Sequence, residues 1–137
     1  MHRDIKRLPG NSAREQVSNL LKLASGLLDD AEKSTNLRPE TRTIIIYSAS
    51  LNLARALLAH SRFTIPNVNH HIAIWELAAE ILGPHSSLQY LSDKRRVRNI
   101  ATYWSSNCVS KEEADETLQQ TINFDTVVRN WLRQHCR

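Results

Sequence analysis

Between residues 94 and 103 the chain carries Lys94, Arg95, Arg96, Arg98, Asn99 and Tyr103. Guanidinium forks grip phosphate oxygens two at a time, and an amide and a phenol add hydrogen bonds without adding charge. The chemistry expected of this segment is phosphate or nucleic-acid binding. A second group, His70 and His71, could supply acid–base chemistry near neutral pH. As helical neighbours they diverge by about 100°, so they do not readily share a metal ion, and they equally suit a loop-to-helix contact. His60, just past Leu57 and Leu58, suits the negative end of a helix.

Other familiar chemistry is missing from the sequence. There is no glycine-rich phosphate loop, Cys-x-x-Cys pair, His-Glu-x-x-His or Gly-x-Ser-x-Gly. No metal and no cofactor is expected. Cys108 reads as a small core residue and Cys136 as incidental. Two cysteines are too few for a disulfide scaffold, so a reducing, cytoplasmic compartment is expected. No apolar run approaches the ~20 residues that span a bilayer, and the opening MHRDIKRLPG lacks a signal-peptide core.

The 137 residues amount to one domain, and three Gly and four Pro argue against a loop-rich sandwich. The net charge of +4 is unevenly spread. Arg3, Lys6, Arg7 and Arg14 crowd the start, Lys94 to Arg98 form a second knot, and Arg129, Arg133 and Arg137 close the chain. Acid gathers at Glu112, Glu113, Asp115 and Glu116. Clustered cations suit a polyanion, although solvated helix faces give the same pattern.

Five amphipathic stretches must position these groups. Val17, Leu20, Leu21, Ala24, Leu27, Leu28 and Ala31 recur at helical spacing behind a Ser12–Glu15 capping box. Pro39 and Glu40 suit the first turn of a second helix, with Ile46, Tyr47, Ser50, Ala54, Leu57 and Leu58 along one side. Asn67 or Asn69 would cap a third helix that Gly83–Pro84 ends. Ser86 with Gln89, and Ser110 with Glu113, would open the fourth and fifth. In the fourth, Val97, Ile100, Ala101, Trp104 and Cys108 form an apolar stripe with Arg98 on its flank. There Arg98 can hold its fork over a cleft or pair with Glu112 or Glu116. Trp75, Trp104 and Trp131 read as core residues. The expected fold is an all-α, up-and-down bundle of about five helices, with residues 1–11 a flexible basic N-terminus and 12–137 one domain.

Two segments resemble the HEPN superfamily. The run Ala54-Arg55-Ala56-Leu57-Leu58 is similar to its Ala-Arg-Ala-Leu-Leu helix, and Arg98-Asn99-Ile100-Ala101-Thr102-Tyr103 is similar to its signature segment. The order of five helices, from about residue 12 to 133, also agrees. The resemblance implies a helical bundle that dimerises. In active members, Arg and His residues of two copies meet in the dimer cleft and cut RNA without metal, the His moving protons and the Arg holding phosphate. Here Tyr103, Trp104 and Ser105 stand where the His would be, and none follows until His135. A phenol, with its ordinary pKa near 10, is a poor acid–base group at neutral pH.

The leading expectation is therefore a HEPN-like homodimer that binds RNA or a nucleotide near Lys94, Arg95, Arg96, Arg98, Asn99 and Tyr103. A toxin–antitoxin or other stress or defence setting is one the superfamily often serves. Two alternatives share the fold. One is a protein-interaction module without catalysis; the other is a metal-independent ribonuclease with a relocated base, His70 or His71.

Overall fold

Apolar residues at three-and-four spacing, with Pro39, Pro66 and Gly83–Pro84 at the first three joints, give five helices: α1 (Gly10–Lys33), α2 (Pro39–His60), α3 (His71–Leu82), α4 (Ser86–Tyr103) and α5 (Lys111–Gln134). The computed structural model describes residues 6–7, 9–64, 71–103 and 109–135, with side chains for all of these except 6, 64, 71 and 95–103. The fold is an all-α bundle, as expected. The β-branched run Ile44–Ile46 is helical, continuous with the Ala- and Leu-rich sequence that follows it. Beside the helices there is a two-residue antiparallel ladder. β1 (Lys6–Arg7) pairs with β2 (Phe63–Thr64), Lys6 opposite Thr64 and Arg7 opposite Phe63.

The centre of the bundle is α2, which touches all four other helices. Its burial exceeds the single side expected. Thr43, Ala49, Leu53, Ala56 and Ala59 are buried as well as Ile46, Tyr47, Ser50, Ala54, Leu57 and Leu58. A helix enclosed by its neighbours needs apolar or small residues nearly all round, and this one has them. The main core joins Tyr47, Leu57, Trp75, Leu91, Phe124 and Val128. Within it the Trp75 indole N–H donates to the Tyr47 hydroxyl at 2.8 Å. Trp75 is therefore a core residue, as read from the sequence; Trp104 and Cys108 lie outside the described residues.

Side-chain ties fix the helix directions. Arg42 donates from Nε to the Ala31 carbonyl, 2.9 Å, and from Nη1 to Asp115. It thereby joins the end of α1, the start of α2 and the start of α5. At the other end, His60 Nε2 lies 3.0 Å from the His135 carbonyl, and Arg129 reaches the Leu21 carbonyl and Ser25. So α1 runs antiparallel to α2, while α2 and α5 run parallel. Ser87–Gln120 and Tyr90–Thr117 hydrogen bonds set α4 antiparallel to α5. The half-length α3 makes the crossing that this order requires.

Helix starts depart from the expected pattern in two of three cases. Ser110 does cap α5, its hydroxyl accepting from the Glu113 N–H at 3.1 Å. In contrast, α1 begins at Gly10 behind Pro9, whose carbonyl accepts from Ala13 at 2.9 Å. Ser12 therefore lies inside the first turn and cannot cap it. The helix thus starts two residues before Ser12, and β1 lies at Lys6–Arg7. In α4 the cap is His85, whose Nδ1 accepts from the Ser87 N–H at 3.2 Å. Ser86 is already helical, and Ser87 spends its hydroxyl on Gln120. The third-helix cap, Asn67 or Asn69, lies outside the described residues. Gly83 ends α3 as expected, with a φ of 84°.

Candidate functional site: a cationic pocket between α1, α2 and α5

Of the sequence-predicted site residues, Lys94 is the one whose side chain is described. Its ammonium sits 5.0 Å from the centre of the Tyr90 ring, one turn back on its own helix. The α4 backbone continues through Tyr103, which sets residues 95, 99 and 103 in one row and 94 and 98 in the next. The side chains of Arg95, Arg96, Arg98, Asn99 and Tyr103 lie outside the described residues, as do His70 and the His71 ring. The α4–α5 register does place residues 94–98 level with the first turns of α5. Glu112, Glu113, Asp115 and Glu116 are carried there, so acid partly cancels the field of this cationic knot.

At the other end of the bundle a second group of cations gathers, one of them, Arg129, paired with Asp125. A cavity of about 880 Å³ opens between the first half of α1, the end of α2 and the end of α5. Arg14, His60, Arg62, Arg129 and Arg133 line it, with no carboxylate among the described lining residues. Its apolar floor is Ala13, Val17, Leu21 and Leu132. The basic residues of the chain's beginning and end thus converge, with β1 and its Arg7 alongside. Sequence reading recorded the two clusters separately. Their meeting follows from the antiparallel α1–α5 arrangement, which no local pattern encodes.

Each wall of the pocket is built differently. Arg129 is braced: Nε donates to Asp125 at 2.8 Å, and Nη2 to Ser25 at 2.7 Å and the Leu21 carbonyl at 3.1 Å. Arg133 donates to Asn130 Oδ1 at 2.8 Å. His60 ends α2, as expected, and its Nε2 lies 3.0 Å from the His135 carbonyl at the C-terminal end of α5 rather than on its own helix. It stands edge-on to Trp131 at 5.4 Å, and Trp131 in turn stacks on His135 at 4.0 Å.

Arg62 is the unusual wall. It has a φ of 68°, the left-handed region, and its N–H reaches the Ala59 carbonyl at 2.9 Å. This is the position after a helix end that glycine usually takes, as Gly83 does after α3. A side chain here costs about 1 kcal/mol or more. Such strain concentrates where a side chain has a function.

One further cation stands apart. On α2, Arg55 has Nε and Nη2 buried without a hydrogen-bond partner, and burial lowers its pKa from the ordinary arginine range. It belongs to the segment that resembles the HEPN helix. Among the described residues no group of His, Cys, Asp and Glu is placed to hold a metal ion, and no helix is long and apolar enough to cross a membrane.

Fold and pocket together define an all-α bundle with a preformed cationic cavity at one end. No known protein family, curated protein or solved structure matches the chain.

Proposed function

We propose that the protein binds RNA or a nucleotide, as a HEPN-like helical bundle that pairs with a second copy and acts in the cytoplasm in a stress or defence setting. The observation that carries the binding reading is the convergence of Arg14, His60, Arg62, Arg129 and Arg133 on one cavity. Arg14, Arg62 and Arg133 add positive charge around the Asp125-paired Arg129, and a bound phosphate would lower that field. The apolar floor leaves room for the body of a nucleotide beneath its phosphate. On this reading the α4 residues Lys94, Arg95, Arg96, Arg98, Asn99 and Tyr103 add further contacts to the same polyanion.

Electrophoretic shift of single-stranded RNA tests the reading. Binding should fall steeply between roughly 50 and 200 mM salt, as counterion release demands. Arg98→Ala should weaken it with the melting temperature nearly unchanged. Absence of a shift at low salt would remove the proposal.

A further inference from the structure

Beside the pocket, the end of α5 carries a run of three aromatic rings. His60, in the pocket wall, stands edge-on to Trp131 with 5.4 Å between centres. Trp131 in turn lies nearly parallel to the His135 ring, at 4.0 Å and 15°. Trp131 is half-buried and packs against the main core, while His135 is exposed. Hydrogen bonds hold the run in place: His135 Nδ1 lies 2.8 Å from the Trp131 carbonyl, and His60 Nε2 lies 3.0 Å from the His135 carbonyl. These contacts satisfy carbonyls at the helix end, a task that needs only the ring nitrogens. They also fix the His135 ring with one face on the indole and the other turned outward. A ring already ordered loses little rotamer freedom when a further ring stacks on it. Every nucleobase has a π-face, and stacking on aromatic side chains beside a cationic groove is how unpaired strands are held. Both parts meet on one helical turn here. Leu132 and Arg133 line the pocket, and Trp131 next to them carries the stack.

We infer that the outward face of the His135 ring receives an unpaired base of an RNA strand whose neighbouring phosphate lies in the pocket, so that the protein selects single strands over duplexes. The inference rests on the RNA-binding reading and deepens it. In a duplex each base is covered by its neighbours in the stack and paired at its edge, and none can lie on His135.

The test compares three end-labelled RNAs by fluorescence anisotropy: a short single strand, a strand of equal length built of abasic sites, and the duplex. Salt is set at roughly 200 mM, where backbone charge contributes less. The single strand should bind about fivefold tighter or more than either other form, the gain from one base stack. His135→Ala should remove that advantage and leave the abasic strand and the duplex bound as before. His135→Phe keeps a ring without its nitrogens. It should retain the advantage, although both variants lose the helix-end hydrogen bond and melt at lower temperature. An advantage that the wild type never shows, that survives His135→Ala, or that His135→Phe loses overturns the inference and leaves general RNA binding standing. If none of the RNAs binds even at low salt, both readings fall.

Discussion

Single residues show where local stability is spent. Arg62 occupies a left-handed position that glycine would fill more cheaply. Arg62→Gly is expected to leave stability unchanged or raise it by up to about 1 kcal/mol, read from urea denaturation. A clear loss would mean that the side chain mainly holds the α2 end together. Arg55 poses the same question on the helix itself. Two of its nitrogens are buried and unpaired, so Arg55→Met should stabilise the fold by about 1 kcal/mol, relieving an unmet desolvation cost. The opposite sign holds at Tyr47. Tyr47→Phe strands the Trp75 N–H inside the core and should cost about 1–3 kcal/mol, with cooperative unfolding retained.

At the scale of elements, α2 governs the fold, and Arg42 is the tie that registers it. Its guanidinium is 7% exposed and joins the last turn of α1 to Asp115 on α5, whose side chain is 51% exposed. Asp115→Asn should therefore cost about 1–3 kcal/mol, less than loss of a fully buried pair, and a double-mutant cycle with Arg42→Met would separate the coupling. Much at this level was legible in the sequence. The periodic leucines and alanines of α1, Pro39 at the start of α2, Ser110 before α5 and Gly83 after α3 all act locally, and each does what its chemistry implies. Ser12 and Ser86 misled because a capping box can be satisfied in sequence while the helix starts elsewhere. Pro9 accepts the first bond of α1, and the His85 imidazole caps α4. A histidine cap has no common sequence signature.

At the scale of the whole molecule, the relevant fact is the meeting of the two ends of the chain. Arg14 and Arg133 stand more than a hundred positions apart in sequence yet line one cavity. The sequence made each cluster visible; only the parallel α2–α5 and antiparallel α1–α5 directions bring them together. The α4–α5 register likewise sets residues 94–98 level with the acidic start of α5. The central claim is that the pocket cations bind a nucleic-acid or nucleotide phosphate. Its most direct test is the salt dependence of single-stranded RNA affinity for the wild type and for Arg14→Ala/Arg133→Ala, two exposed side chains whose loss leaves the core intact. Binding should weaken in the double variant, with the slope of log affinity against log salt shallower by about 1.4 and the melting temperature unchanged. An identical slope and affinity in the two proteins would contradict the account.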